Sequence, residues 1–205
     1  MALAGCSSSG ELIVDDAVGI SAVRSPCPAV GLADYTGDIT LFANPDDSAE
    51  HDSRSIDVAA SLTDVRGTCD AKTARVKSQV SFKVVARRSD PRGTRDVSLP
   101  YFVTVMRGSN SVVAKRVGLV TVHFADGQSR AEAVAKGGAL VDKAEATLDR
   151  SIHDRITKKR KAGESDAAID PLADPEVRGA VERASFEVLV GFQLDEAQLS
   201  YNARR

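Results

Sequence analysis

Aromatic side chains are scarce in this 205-residue chain: Trp is absent, and aromatic residues make up 4% of the total. No run of about 18 apolar residues occurs, so the sequence contains no candidate membrane-spanning helix. Neither sign of charge dominates, because 27 Lys and Arg residues stand against 29 Asp and Glu residues. A dedicated nucleic-acid-binding domain normally has a strong basic excess, so we expect no nucleic-acid partner.

Common catalytic and cofactor-binding motifs are also missing. The chain has no Gly-x-Ser-x-Gly elbow, P-loop, His-Glu-x-x-His or dinucleotide-binding fingerprint. Of its three histidines, His51 lies in a polar loop, His123 on the outward face of a predicted strand and His153 on the polar side of a predicted helix. A hydrolase would need a pocket that joins His51 or His153 to several acids. We therefore expect a protein that is not an enzyme, with no catalytic residue, metal or cofactor.

Apolar residues make up 42% of the chain, and the aliphatic ones are mainly Val and Ala, which favours strands. Residues 74–87 alternate strictly between apolar and polar side chains. Alternation over this length is typical of an antiparallel strand with one buried face. Similar patterns predict strands at 56–62, 97–105 and 112–124, separated by turn residues. We therefore expect an antiparallel immunoglobulin-like β-sandwich.

A helical insertion is predicted before the last strand. Residues 131–135 suggest only a weak strand, and from Leu140 the apolar spacing becomes helical. The sequence Asp174-Pro175-Glu176 supplies an N-cap, a first-turn proline and a first-turn acid, which predict a second helix. The insertion is expected at about residues 142–184.

The C-terminal part returns to strand alternation. Residues 186–194 alternate as a strand, and Asp195 with Gln198 resembles a capping box for a final helical turn. The predicted organisation is therefore mainly β: a single domain at 26–205 that follows a flexible tether at 1–25.

The first residues resemble a bacterial lipobox. Leu3-Ala4-Gly5-Cys6 places small residues before a cysteine, and a Ser/Gly run follows as a tether. The Cys6 thiol would carry a diacylglycerol, and two or three acyl chains anchor a protein firmly. By resemblance to lipoprotein sorting rules, a Ser after this cysteine favours the outer membrane. The basic and apolar regions of a signal peptide would have to lie upstream of residue 1. The alternative is an accidental terminus of a cytosolic protein.

The other two cysteines, Cys27 and Cys69, are candidates for a disulfide. Each lies beside turn residues, and in an oxidising periplasm such a pair is typically joined. Closing this loop would stabilise the fold by about 4 kcal/mol in the chain-entropy model. Two separate buried thiols in a cytosolic protein are the alternative. A metal site is disfavoured because neither cysteine belongs to a C-x-x-C pair.

Two basic features are candidate contacts for anions or partners. The run Lys158, Lys159, Arg160 and Lys161 ends the first predicted helix, where it can complement the helix dipole or contact anionic headgroups.

The second feature lies on the outward face of the strand at 74–87. It is continued by arginines in the following turn, and it can either pair with acids such as Asp57 and Glu132 or bind anions. Its strand members are Arg75, Lys77, Lys83 and Arg87, and the arginines that follow are Arg88, Arg92 and Arg95.

Three stretches resemble a group of uncharacterised alphaproteobacterial envelope lipoproteins. They are Phe186–Leu194, Gln198–Asn202 and Leu99–Val103, together 19 of the 205 residues. This resemblance implies export and an all-β core, and it supplies no catalytic residues.

Together these features predict a non-catalytic lipoprotein, held by its lipid on the periplasmic face of the outer membrane. We expect it to be a structural or interaction module that presents its helical insertion to another envelope protein. The alternative is a module that binds an envelope glycan, peptidoglycan or lipopolysaccharide through its basic sheet face.

Overall fold

The computed structural model describes residues 25–44, 53–108, 110–158 and 169–204. These residues form a mainly β structure of eight strands with three α-helices. The strands are β1 (Ala29–Leu32), β2 (Asp38–Phe42), β3 (Ile56–Asp70), β4 (Arg75–Arg88), β5 (Arg95–Arg107), β6 (Ser111–Phe124), β7 (Arg130–Asp142) and β8 (Phe186–Phe192). The helices are α1 (Arg150–Thr157), α2 (Pro175–Ala184) and α3 (Glu196–Ala203).

The strands form two four-stranded sheets. The first sheet has the order β1-β8-β5-β6 and the second the order β2-β3-β4-β7. Every pairing is antiparallel except that of β1 with β8, which is parallel. Strands β6 and β7 are edge strands, and they follow one another in the chain.

One apolar core lies between the sheets. It is rich in Val, as the alternation predicts, and both sheets contribute to it: Val58 and Val84 come from the second sheet, and Val122 and Val188 from the first. These four side chains are fully buried. The inward face predicted for residues 74–87 is therefore confirmed from Val76 onward.

Strand β7 is longer than the sequence predicts. The helical pattern expected from Leu140 is wrong, because β7 continues through Gly137-Gly138 to Asp142 and α1 begins at Arg150. The reason is tertiary: β7 pairs with β4 along its whole length. A β-carbon on Gly137 would lie 2.5 Å from Cγ2 of Val103, so this glycine lets the two sheets approach closely.

The segment between β7 and β8 carries α1 and α2, and these helices have a small core of their own. It is formed by Ile152 and Ile156 of α1 with Val177 and Val181 of α2. Asp174 caps α2 as predicted, and its carboxylate accepts a hydrogen bond from the Glu176 N–H.

The predicted capping box also forms at the last helix. The Asp195 carboxylate accepts a hydrogen bond from the Gln198 N–H, and the Gln198 side chain accepts one from the Asp195 N–H. Helix α3 lies against β2, where Tyr201 packs edge-to-face on Phe42. Within the described residues, no helix is long and apolar enough to cross a bilayer.

Cys27 and Cys69 form the expected disulfide. The bond joins the segment before β1 to the end of β3, and Cys27 also packs against a second apolar cluster that contains Val105 and Phe186. The start of the described chain is therefore fixed to both sheets.

Candidate binding surfaces

The four basic residues predicted on β4 lie on the outer face of the second sheet. The alternation of β4 directs Arg75, Lys77, Lys83 and Arg87 away from the core. Lys83 forms an ion pair with Glu132 of β7, with an Nζ to Oε2 distance of 3.1 Å. Among these four residues, the pairing alternative is therefore realised at Lys83.

The register of β4 and β7 shows basic residues that sequence reasoning missed. Arg130 is the direct partner of Arg87, and Lys136 lies opposite Ser81. Like charges directly opposite each other destabilise a sheet, unless a counter-charge relieves them. No ion pair is found for Arg87, Arg130 or Lys136 within the described part of the chain. The sequence alone does not show the strand order, so these three basic residues are recognised as neighbours only from the structure.

Arg88 does not belong to the basic face. Its side chain is 1% exposed and lies at the end of the core, with its guanidinium 5.2 Å from the centre of the Phe124 ring. The alternation of β4 already places position 88 on the inward face, a signal that the sequence analysis overlooked. The guanidinium donates hydrogen bonds to the carbonyl oxygens of two neighbouring turns, those of Pro91, Gly93, Ala125 and Gln128.

The two remaining arginines of the expected stripe are paired with acids. Arg95 donates two hydrogen bonds to Asp57, which raise the pKa of Arg95 above its ordinary value. Arg92 binds the Asp90 carboxylate, and these hydrogen bonds lower the pKa of Asp90.

On the outer face of β4, Asp142 lies opposite Arg75 and Asp70 opposite Lys77. Among the described residues, the basic group without a facing acid is therefore Arg87 with Arg130 and Lys136.

The basic run at the end of α1 is described only at its first residue. Lys158 is the C-cap of α1, whereas Lys159, Arg160 and Lys161 lie outside the described residues. Cys6 and His51 lie outside them as well, so their predicted roles remain expectations.

The two described histidines have carboxylate neighbours. His123 Nδ1 lies 2.6 Å from Asp96 Oδ1 on the outer face of the first sheet. His153 Nδ1 lies 3.6 Å from Asp154 Oδ1, and His153 lines a cavity of about 500 Å³ whose only described acid is Glu187. The hydrolase hypothesis required several acids at such a pocket. Within the described ranges, no group of three or more His, Cys, Asp or Glu residues has the arrangement of a metal site.

A cleft of about 520 Å³ opens between the edge strands β6 and β7. Beside the cleft, the Tyr101 ring packs over Gly118, and the Tyr101 hydroxyl donates a hydrogen bond of 3.1 Å to the carbonyl oxygen of Lys136. This hydrogen bond links the two sheets. A β-carbon on Gly118 would lie 2.8 Å from the Tyr101 ring, so this packing requires glycine. Next to this hydrogen bond, the interior face of β5 borders the cleft.

Strand β6 is exposed along the first part of its length. Residues 111–117 are all exposed, on both faces of the strand. Its apolar side chains include Val117, which is 59% exposed, and Leu119, which is 70% exposed. Val112 and Val113 are exposed beside them. Exposed apolar side chains on an edge strand are the kind of surface that binds another molecule.

No protein-family model, curated protein or solved structure matches this chain. Function is therefore inferred from the surfaces themselves: the basic face of β4 and β7, and the exposed part of β6 with its neighbouring cleft.

Proposed function

We propose that this protein is a non-catalytic interaction module of the bacterial cell envelope, anchored by a lipid on Cys6 at the periplasmic face of the outer membrane. The observation that carries the interaction role is the exposed apolar part of β6, centred on Val117 and Leu119. The insertion was the first candidate for this contact. However, α1 and α2 bury their apolar side chains in their own core, so β6 is the stronger one.

The proposed location is supported by two features. The lipobox at Leu3–Cys6 supplies the anchor, and the disulfide between Cys27 and Cys69 suits an oxidising compartment. We include the immunoglobulin-like class of sandwich in the proposal, because two antiparallel-rich sheets share one core.

The anchor is tested by fractionating cells that express the lipid-acceptor variant. With a complete signal region upstream, Cys6→Ala should release the protein from the membrane pellet into the periplasmic fraction. Cys6→Ala protein that remains in the membrane pellet would contradict the lipid anchor.

The interaction role is tested by site-specific photo-cross-linking in intact envelopes. A benzophenone side chain at Val117 should capture a discrete envelope protein. The matched position is Ile169 of the insertion, which is 58% exposed and lies away from β6. An adduct at Ile169 alone would assign the contact to the insertion. No adduct at either position would contradict the interaction module.

A second candidate function is supported by Arg87 and Arg130. These two arginines face each other across the β4–β7 ladder without an ion pair in the described residues, and an anionic group between them would relieve their repulsion. The phosphates of lipopolysaccharide and the carboxylates of peptidoglycan have this chemistry.

Envelope polymers provide the test of this second function. The Arg87→Glu/Arg130→Glu variant should be retained less than the wild type on immobilised lipopolysaccharide or peptidoglycan. Arg178→Glu is the control, because Arg178 is exposed on α2 and far from this face in the fold. Equal retention of the wild type and the double variant would remove the glycan-binding alternative.

A further inference from the structure

The backbone of β6 presents unpaired hydrogen-bonding groups along its outer edge. In an antiparallel ladder, the N–H and C=O of successive residues point to opposite sides. The carbonyl oxygen of Pro100 accepts a hydrogen bond from the Gln193 N–H at 2.9 Å, so Pro100 directs its backbone groups away from β6. Leu119, the partner of Pro100 in β6, therefore directs its own groups away from β5.

Every second residue along β6 directs its backbone N–H and C=O to the same side as Leu119. Val117 is paired with Phe102 and Lys115 with Thr104, so their backbone groups also point to the free edge. In the described residues, β6 pairs with β5 and with no other strand. An edge of this kind is a template for an added strand.

The cleft beside this edge has apolar walls. Val103 and Val105 of β5 border it on one side, and Ala139 of β7 on the other. Ser78 of β4 also lines it.

Ser78 lies between this cleft and a smaller cavity beside Cys69. Ser78 is 1% exposed, and its Oγ is the one buried side-chain polar atom without a hydrogen-bond partner in the described part of the chain.

The charges around the cleft all have one sign. Lys77, Lys115, Arg116 and Lys136 line it, and no Asp or Glu does so among the described residues. Such a surface attracts an anionic partner and repels a basic one.

We propose that β6 and this cleft bind an extended segment of a partner protein in which apolar residues alternate with Asp or Glu. The segment adds to the edge of β6 by hydrogen bonding to Lys115, Val117 and Leu119. Because side chains of a strand alternate between two faces, its apolar side chains enter the cleft and its acids lie on the outer face of the first sheet, beside Lys115. This inference rests on the proposed interaction role and names the class of partner.

A second copy of the chain is a poorer occupant than an acidic segment. Pairing β6 with another β6 would bring the same Lys115 and Arg116 to both sides of the interface, with no acid to compensate. A single-chain anionic lipid matches the cleft's charge and apolar walls, but it does not use the unpaired backbone edge.

The test uses the full chain and a labelled peptide of about ten residues in which Val and Glu alternate. In a strand added to a sheet edge, alternate side chains point to the same face, so this peptide has one apolar and one acidic face. Fluorescence anisotropy should show saturable binding of this peptide. The counterpart in which Lys replaces every Glu should bind at least about tenfold more weakly, because the charged residues that line the cleft are all basic. Hydrogen exchange should slow at the amides of Lys115, Val117 and Leu119 when the Val/Glu peptide is bound.

Two matched pairs of variants locate the site. Val117→Pro removes one free-edge N–H and should weaken peptide binding by at least about tenfold, because it removes a hydrogen bond and interrupts the edge. Its control is Val134→Pro on the free edge of β7, outside the cleft, which should bind like the wild type. Lys136→Glu should weaken binding by about fivefold, whereas the same charge change at Arg178 should leave it unchanged.

Several results would overturn the inference. Equal binding of the Val/Glu and Val/Lys peptides would remove the charge argument. Binding without protection of the β6 amides would remove strand addition. Displacement of the Val/Glu peptide by dodecyl phosphate, with no amide protection, would assign the cleft to an anionic lipid. A stable dimer that Val117→Pro dissociates would assign the edge to a second copy.

The inference and the proposed function can fail separately. If cross-linking at Val117 captures an envelope protein but the Val/Glu peptide does not bind, the interaction role stands and the acidic-strand partner is wrong. If the peptide binds as described but no envelope protein is captured, β6 is a strand-binding site and the proposed envelope role is wrong.

Discussion

Replacing Arg88 by Met is expected to lower the free energy of unfolding by about 3 kcal/mol. Arg88 is the largest fully buried side chain of the described residues, and its guanidinium joins two turns that lie at the same end of the sandwich. Met keeps the apolar stem of the side chain but removes every donor. The variant therefore separates the hydrogen-bonding role of Arg88 from its packing.

The magnitude follows from the contacts of the guanidinium. Three N–H groups, one on Nε and two on Nη2, are shared among four carbonyl oxygens at 2.6 to 2.9 Å. A hydrogen bond to a charged group contributes about 1.5–3 kcal/mol net, so three donors would sum to about 4.5–9 kcal/mol. The cost of burying the cation offsets several kcal/mol of this sum. In the variant, the turn carbonyl oxygens can form hydrogen bonds with water instead. The expected net loss in the free energy of unfolding is therefore about 3 kcal/mol.

Urea unfolding followed by far-ultraviolet circular dichroism measures this loss, under oxidising conditions that keep the disulfide. With a slope of about 2 kcal/mol per molar urea, the midpoint of Arg88→Met should fall by about 1.5 M. The neighbouring Arg87→Met is the control. Arg87 is exposed and faces Arg130, so its replacement should leave stability within about 0.5 kcal/mol of the wild type or raise it slightly.

Two outcomes would refute this reasoning. A midpoint change below about 0.5 M for Arg88→Met would mean that the hydrogen bonds of the guanidinium contribute no more than their desolvation costs. An equal loss for Arg87→Met would mean that burial does not distinguish the two positions.

Three further predictions concern other parts of the fold. Reducing the bond between Cys27 and Cys69 should destabilise the protein by about 4 kcal/mol, measured by urea unfolding with and without reductant, and an unchanged midpoint would contradict the loop-closure account. The pKa of Asp174 is lowered, first by the hydrogen bond from the Glu176 N–H and then by the charge of Arg155. The stabilisation contributed by the ionised Asp174 should therefore be present above the unfolded-state pKa and lost as pH falls through the lowered value. Melting temperatures recorded from neutral to acidic pH should therefore fall less steeply for Asp174→Asn than for the wild type, and parallel curves would disprove this. Gly137→Ala should cost about 1–3 kcal/mol in thermal unfolding, because its β-carbon would meet the facing sheet, and a neutral result would mean that the sheets can separate at this point.

Local patterns predicted the elements that depend on nearby residues. The alternation on β4 follows from period-two spacing, and the caps at Asp174 and Asp195 follow from hydrogen bonds within one turn of the chain. Such features need no knowledge of distant partners. This is why the core face of β4 and the starts of α2 and α3 agree with the sequence analysis.

The remaining features depend on which strands are neighbours. The sequence of β7 reads as a weak strand followed by a helix, and its pairing with β4 decides the conformation up to Asp142. The opposition of Arg87 and Arg130 is likewise a property of register. The cleft between β6 and β7 depends on the fact that both are edge strands, and alternation gives no sign of this.

The disulfide also determines how the domain would carry mechanical load. Cys27 comes two residues before β1, and its covalent partner Cys69 lies in β3 of the other sheet. Tension applied to the chain before Cys27 would pass directly through the sulfur atoms into β3. The four-residue β1 and its hydrogen bonds to β8 would then be shielded from the pull. A tether attached at this end can be stretched without peeling the first strand from its sheet.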